Sequence, residues 1–314
     1  MRVLVTAAGS GPGVAIVKAV RDSAGFDSFV LAVDMSSRAA GLYLAHERAI
    51  VPGAGDPGYP GRLLELSRQH GIEMIIPIFD TETPVLARER ERFENAGIHV
   101  AVNPLDCVLR ANDKMESFRL CEAAGIPQPG RFPHPGDAAA GSYPIVGKPL
   151  QGVGGKGMLR LDGPGELPTR LDPAAFIWQE WVEGQEFSID TFGDPDSATF
   201  VAVPRLRRIV KAGQMVDGET LADPELIEFA RTTCRAFGAQ DVCCVQVIRN
   251  RAGRLAFVEI NPRYGTGVSL SIHAGIDFPR LQWLSAFAPE TITRDMLRFR
   301  SGAGVIRYWE EIYT

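Results

Sequence analysis

The run Val242-Cys243-Cys244-Val245-Gln246-Val247-Ile248, then Asn250-Arg251-Ala252-Gly253, then Arg254-Leu255-Ala256-Phe257-Val258-Glu259-Ile260-Asn261-Pro262-Arg263, reads as two apolar stretches joined by turn residues. That pattern predicts an antiparallel hairpin. Side chains at i and i+2 share a sheet face, so Glu259 and Asn261 project together. A short turn puts the positions opposite Gln246 and Cys244 near Phe257 and Glu259, which brings Gln246 to the same place. One carboxylate and two amide oxygens suit a hard ion such as Mg2+, which keeps open positions for phosphate oxygens. Arg263 supplies a cation for charge developing on a transferred phosphoryl group. The competing reading of the hairpin alone is a solvent-facing ribbon with a polar outer side.

Upstream, apolar stretches at 3–5, 29–33, 49–51, 74–77 and 99–102 alternate with helical patterns at 14–20, 61–70 and 84–96. This βαβ rhythm predicts a doubly wound parallel sheet over residues 1–103. Ligands on such sheets bind at the carboxyl ends of the strands. Those ends carry Gly9-Ser10-Gly11-Pro12-Gly13, Asp34 and Phe79-Asp80-Thr81-Glu82. A dinucleotide fingerprint is excluded by spacing, because its third glycine falls on Val14 or Ile16. The turn at Gly11 reads instead as backbone N–H groups receiving a substrate carboxylate. Asp80 and Glu82 are candidates for a substrate amine, with helix capping before Pro84 as the alternative, and Asp34 stands with them at the strand ends that border the substrate pocket.

Residues 104–180 begin with Asn112-Asp113-Lys114, which opens a helix through Ala124 that Gly125-Ile126-Pro127 stops. Ile145-Val146-Gly147-Lys148-Pro149, the loop Gln151-Gly152-Val153-Gly154-Gly155-Lys156-Gly157 and an apolar stretch at 158–161 read as strand, flap and strand. Free N–H groups at Gly152, Gly154, Gly155 and Gly157 form an anion nest, and Lys156 adds compact positive charge. It is not a P-loop, because Gly157 stands where Ser or Thr would have to follow the lysine. A plain hairpin tip is the alternative. Residues 176–184 then pass from apolar to polar, offering backbone groups to an adenine edge, with Glu180 accepting from its amine and Glu186 from a ribose. Taken singly, both glutamates also read as surface residues.

The 314 residues carry a formal charge of -5 and balanced apolar content, which fits a globular chain of two or three domains and not a general nucleic-acid or membrane-surface binder. No apolar run approaches the ~18 residues of a membrane span, and Met1 leads straight into a strand, so the expected location is cytoplasmic. Arg205, Arg207, Arg208 and Lys211 read either as a local basic patch or as a solvated strand face. Cys107, Cys121, Cys234, Cys243 and Cys244 are odd in number without paired C-x-x-C spacing, so neither a disulfide framework nor a zinc site is indicated.

In this order, the motifs resemble the ATP-grasp superfamily over essentially the whole chain, particularly the group of the carbamoyl phosphate synthase large subunit and the pyrrolysine-pathway amino-acid ligase. The resemblance rests on the preceding α/β domain, Asn112-Asp113-Lys114, Val146-Gly147-Lys148-Pro149 with its glycine loop, Gln179-Glu180-Trp181-Val182-Glu183-Gly184-Gln185-Glu186, the Gln246/Glu259/Asn261 set with Pro262-Arg263, and Arg307-Tyr308-Trp309-Glu310-Glu311. It implies a pre-ATP-grasp Rossmann-like domain at 1–103, an ATP-grasp N-terminal part with a small β-rich lid at 104–180, and a C-terminal antiparallel-sheet part at 181–314. Lys114 and Lys148 match its nucleotide-binding lysines. Glu180, Trp181 and Val182 match the adenine-reading hinge, and Glu186 matches the ribose carboxylate. Gln246, Glu259 and Asn261 match the ligands of two Mg2+ ions, Mn2+ being an acceptable substitute. Arg263 matches the arginine near the acyl phosphate and Arg207 another phosphate-facing arginine; on a ligase reading Gly265-Thr266-Gly267, just after Arg263, lines the acyl site.

The activity so implied is an ATP-dependent carboxylate–amine ligase. It makes an amide through an acyl phosphate and releases ADP and phosphate, with an amino acid or small peptide as substrate. The chain lacks the ammonia-delivery and oligomerisation regions of the synthase and any Met-Lys-Met biotin motif. Relatives of this kind commonly form homodimers. Cyclisation or phosphorylation without ligation would use the same site, and a nucleotide-binding module without turnover is the reading from a different class.

Overall fold

Three sheets organise the chain in a computed structural model that describes residues 1–23, 25, 27–150 and 157–314. The first sheet is built from β1 (Arg2–Val5), α1 (Gly11–Arg21), β2 (Phe29–Asp34), β3 (Glu47–Ile50), α2 (Tyr59–His70), β4 (Met74–Ile76), α3 (Thr83–Glu94) and β5 (His99–Val100). Its strands are parallel, in the order β3-β2-β1-β4-β5. Alternate residues feed different cores: Val3, Val5 and Ala32 pack with Ile16 and Val20 of α1, whereas Leu4, Leu31 and Val33 pack with Leu63 of α2 and Phe93 of α3. Burial on both faces explains why these strands read as unbroken apolar runs. Strand order reverses between β1 and β4, so the turns after them flank the switch point where such sheets bind ligands.

Helices α4 (Leu105–Asn112) and α5 (Lys114–Ala123) lead out of this unit. Asp113 starts α5 by accepting from the N–H groups of Met115 and Glu116 at 2.8 and 3.0 Å. Next come β6 (Arg131–Phe132), β7 (Ile145–Pro149), β8 (Leu159–Leu161) and β9 (Phe176–Glu180), an antiparallel sheet of order β6-β9-β7-β8. Its small core closes on Trp178, and a Cβ at Gly147 would stand 2.6 Å from the Trp178 ring, so only glycine fits there.

The remainder runs β10 (Gly184–Phe192), β11 (Val201–Lys211), β12 (Gln214–Thr220), α6 (Pro224–Phe237), β13 (Cys243–Asn250), β14 (Leu255–Asn261), α7 (Val268–His273), α8 (Phe278–Phe287) and β15 (Gly304–Ile306). The strands form an antiparallel sheet of order β14-β13-β10-β11-β12-β15. One face is closed by α6: Phe187, Ile189, Val245, Val247, Phe257 and Ile260 pack on Leu226, Ala230 and Phe237. Val203, Val242, Tyr264 and Phe278 share a core with Val3 and Val5 of the first sheet. That shared core fixes the C-terminal sheet against the switch point.

The hairpin β13–β14 has a different register from the one the turn alone suggests. Gln246 lies opposite Glu259 and Cys244 opposite Asn261, because a bulge after Gln246 skips Val258. A bulge leaves two residues facing one and changes which face later side chains take. Phe257 therefore points into the α6 core, while Glu259 faces the other way. All five cysteines are free and buried.

Candidate active site

The polar face of the large sheet is the counterpart of its α6 face. Ser188 pairs with Gln246 and Arg205, Asp190 with Cys244, and Gln246 with Glu259, so these positions line one side by register alone. Their side chains form one hydrogen-bonded line across four strands. Glu186 pairs with Arg207 at 3.1 Å, and Arg207 donates to Gln246 Oε1 at 3.2 Å. Gln246 Nε2 donates to Glu259 Oε1 at 2.7 Å, and Asn261 Nδ2 donates to the same oxygen at 3.0 Å. Arg263 Nη2 then donates to Asn261 Oδ1 at 3.0 Å and, with Nε, to both oxygens of Asp80 at 2.8 and 2.7 Å. The line ends on the turn after β4, so the first domain orients the arginine of the last.

Lys114 and Lys148 face this line from α5 and β7. Burial holds the Lys148 ammonium below its ordinary value; Glu259 and Glu186 pull it up, and Lys114 pushes it down. Lys114 is lowered by burial too, against the pull of Glu259 and Asp113. Its Nζ donates to the Leu150 carbonyl at 3.4 Å, one residue before the glycine-rich stretch of sequence at 151–157. Two desolvated ammonium groups opposite a carboxylate line make a receptor for a polyanion. Burial would lower Arg263, but its bidentate bond with Asp80 outweighs this and keeps it cationic.

Trp181 and Val182 border a cavity of about 700 Å3 with Glu186 and the apolar side chain of Ile248. The Arg160 guanidinium lies 4.8 Å from the Trp181 ring, and the Trp181 N–H is taken by the Pro144 carbonyl at 3.2 Å. Glu180 is exposed, its Oε2 3.4 Å from the Gly130 N–H. A second cavity, about 600 Å3, is lined by Glu180 and Val182 together with Pro127, Phe229 and Leu255. It contains none of the lysine, arginine or metal-set residues.

Beneath the site runs a buried support that the sequence reading did not find. Arg205 donates from Nε and Nη2 to the two oxygens of Asp190, both at 2.7 Å, and Ser271 Oγ donates to Asp190 at 2.6 Å. Arg205 and Asp190 are 2% and 1% exposed, so Arg205 belongs neither to a surface basic patch nor to a solvated strand face. Arg208 and Lys211 are exposed, as that second reading expects. Gly265 and Gly267 lie directly on this pair: a Cβ at Gly265 would stand 2.6 Å from Cys244 Sγ, and one at Gly267 2.0 Å from Arg205 Nη1. The spacing Glu186, Ser188, Asp190 on one strand face was the available signal.

Of the residues placed at the first domain, Asp80 reaches the site, through Arg263. Asp34 accepts from the N–H groups of Gly9 and Ser36, both at 2.9 Å, which shapes the turn after β1. Glu82 is turned inward and is 4% exposed. It accepts from Thr6 Oγ1, the Tyr59 hydroxyl and the N–H groups of Ile78 and Phe79. Burial still raises its value against those bonds. Its oxygens brace the β4 turn from within and do not face a solute; nor does its side chain cap α3. Gly11 opens α1 behind the Ser10 cap, with Gln214 Oε1 3.8 Å from the position of a Cβ. Gly152, Gly154, Gly155 and Lys156 lie outside the described residues; Gly157 has φ +76°, which favours glycine.

The donors fit a hard divalent ion. Glu259 is exposed, and both amides that donate to it present an oxygen there on a simple flip. Among the described residues there is no cluster of three His, Cys, Asp or Glu side chains. A metal here would rest on the mixed carboxylate–amide set.

Comparison with known proteins agrees with this geometry. Residues 172–303 match the family "ATP-grasp in the biosynthetic pathway with Ter operon", and residues 3–101 match "PylC-like, N-terminal domain". The arginine-specific large chain of carbamoyl phosphate synthase from Bacillus subtilis is 21% identical over 230 residues, 66% of this chain and 22% of that one. A D-alanine--D-alanine ligase from Halorhodospira halophila is 32% identical over 91 residues, 26% and 30% of the two chains. Among solved structures, the L-amino acid ligase of Bacillus licheniformis superposes with TM-score 0.71 at 17% identity, covering 95% of this chain and 77% of that one. The biotin carboxylase domain dimer of Hydrogenobacter thermophilus 2-oxoglutarate carboxylase, in complex with MgADP, ADP and bicarbonate, gives TM-score 0.71 at 18% identity, with coverages of 95% and 72%. The chain thus carries an ATP-grasp match over residues 172–303 and a PylC-like N-terminal domain over residues 3–101. It spans less than a third of the length of the two curated relatives. Among the described residues no helix is long and apolar enough to cross a membrane.

Proposed function

We propose that this protein is an ATP-dependent carboxylate–amine ligase acting on an amino acid or small peptide. The observation that carries the reading is the unbroken line Glu186–Arg207–Gln246–Glu259–Asn261–Arg263, faced by Lys114 and Lys148. Its alternation of cations with oxygen donors matches a triphosphate and its counter-ions better than it matches a structural network. The same reading divides the chain at 1–103, 104–180 and 181–314, with nucleotide between the second and third parts and substrate toward the first.

Gln246, Glu259 and Asn261 would hold Mg2+, which would supply positive charge to neutralise the phosphates. Lys148 and Lys114 bind the phosphates, and the hinge at Glu180–Val182 with Glu186 and Ile248 seats the nucleoside. A substrate carboxylate oxygen attacks the γ-phosphorus, the bond to ADP breaks, and an acyl phosphate forms. Arg263, held by Asp80, offers its cation to that group. An amine nitrogen then attacks the acyl carbon, phosphate leaves with the C–O electron pair, and the ammonium proton passes to solvent. Positioning and charge neutralisation carry both steps. The test is ADP release across pools of amino acids and small carboxylates, with mass spectrometry of each positive pool. A condensed mass equal to acid plus amine minus water supports the reading. ADP release without it points to cyclisation or phosphoryl transfer, and ATP binding without ADP release in any pool overturns catalysis.

A further inference from the structure

Three arginines of the site are each matched to an acid: Arg205 to Asp190, Arg207 to Glu186 and Arg263 to Asp80. Arg307 differs from them. It follows β15, its N–H donates to the Val216 carbonyl of β12 at 2.9 Å, and its Nη2 donates to the Thr266 carbonyl. Among the described residues it forms no ion pair, although it is half-buried. Burial first, and then repulsion from Arg205, hold its value below the ordinary one, with no acid pulling the other way. A desolvated cation facing only another cation is unfavourable, and a bound anion reverses that balance.

Its position names the anion. Thr266 stands three residues past Arg263, in the segment that Gly265 and Gly267 let lie flat on the Asp190–Arg205 pair. Arg307 holds the carbonyl of that segment from the outside. The same β12 strand carries Gln214, which approaches Gly11 at the start of α1. Arg307 is thus held against the segment that follows Arg263, and the strand that accepts its N–H also reaches the first domain at Gly11.

We infer that Arg307 binds a substrate carboxylate that is never phosphorylated. At least one of the two substrates then carries a free carboxylate besides the one activated. It is either an α-amino acid entering as the amine or a dicarboxylate entering as the acid. The planar guanidinium fork suits a carboxylate held by two parallel bonds. The inference rests on the ligase reading only in calling the bound group a substrate.

The test is ligand-induced thermal stabilisation of the full chain as wild type, Arg307→Gln and Arg307→Lys. Each is titrated with the common α-amino acids, with succinate and glutarate, with the corresponding carboxamides, and separately with a non-hydrolysable ATP analogue plus Mg2+. A free-carboxylate compound should stabilise the wild type while its carboxamide does not. Its apparent affinity should fall about 10-fold or more in Arg307→Gln, roughly 1.4 kcal/mol on the affinity scale, and partly recover in Arg307→Lys. A purely structural arginine would weaken acid and amide alike. Amino acids or dicarboxylates as the responding class identify which substrate supplies the group. Equal response of wild type and Arg307→Gln, no carboxylate-dependent response in the wild type, or loss of the nucleotide response in Arg307→Gln would each overturn the assignment. Arg307-dependent carboxylate binding without ADP release in any pool would leave the site standing and defeat the ligase reading.

Discussion

The two faces of the six-stranded sheet are made by the same strands and do opposite work. On β10 and β13, Phe187, Ile189, Val245 and Val247 close on α6, while the intervening Glu186, Ser188, Asp190, Cys244 and Gln246 take the opposite face. The apolar face is a stability element. The polar face concentrates charge that would destabilise a core, and it is tolerated because each member has a partner. Its lower layer, Asp190 with Arg205, is fully desolvated and supports the loop at Gly265–Gly267. Its upper layer, from Glu186 to Arg263, is open to a ligand. The division of labour implies that side chains separated by one residue along a strand fail in different ways when changed.

The sharpest break of this contrast is Asp190→Ala. It strands a buried guanidinium, and denaturant unfolding should show a loss of about 3–5 kcal/mol, typical of an orphaned buried ion. Asp190 and Cys244 lie opposite each other, and burial pushes the Cys244 thiol up to about 12, so that thiol offers Arg205 no replacement charge near neutral pH. Glu259→Ala, on the open layer, should do the reverse. Turnover should fall by ~100-fold or more, about 3 kcal/mol on the barrier, while the unfolding midpoint stays close to wild type. A folded Glu259→Ala protein with undiminished turnover removes the metal assignment.

A smaller effect should appear with pH. The Lys148 ammonium is below its ordinary 10.5 in the free protein because of burial, and bound phosphates favour its charged form. Nucleotide binding therefore takes up a proton where free Lys148 is neutral. Affinity is full below the lowered value and declines as pH rises from there toward 10.5. Calorimetry in buffers of different ionisation enthalpy reads the proton uptake directly, and an affinity flat with pH in Lys148→Met but not in wild type assigns it. The mildest perturbation lies behind the apolar face. Asp223 caps α6 by accepting from Glu225 and Leu226 at 3.0 and 3.2 Å, and Asp223→Ala should cost about 1 kcal/mol of stability. Asp223 also pairs with Arg249 at 2.8 Å, and because Glu225 holds the same guanidinium at 2.9 Å, nucleotide affinity should change little.

Much of this was legible in the chain. The βαβ rhythm gave the parallel sheet because strands buried on both sides must be apolar throughout, and the turn residues at 250–253 gave the hairpin. The register of that hairpin was not legible. A bulge at Val258 moves the partner of Gln246 from the neighbourhood of Phe257 to Glu259, and no residue type there announces it. Asp80 and Glu82 show the same limit. They sit two residues apart in one turn with the same chemistry, yet one reaches across to Arg263 and the other is folded beneath Thr6 and Tyr59.

What the sequence determined by itself is the set of local instructions: period two on the strands, caps at Ser10, Asp113 and Asp223, and glycines at 265 and 267. Those depend on neighbours a few bonds away. Only the tertiary structure decided which charges are matched, that Arg205 is buried on Asp190, that Arg263 is held by a residue of the first domain, and that Arg307 forms no ion pair among the described residues. The strength of a charge interaction depends on distance and desolvation, and both are set by segments far apart in the chain.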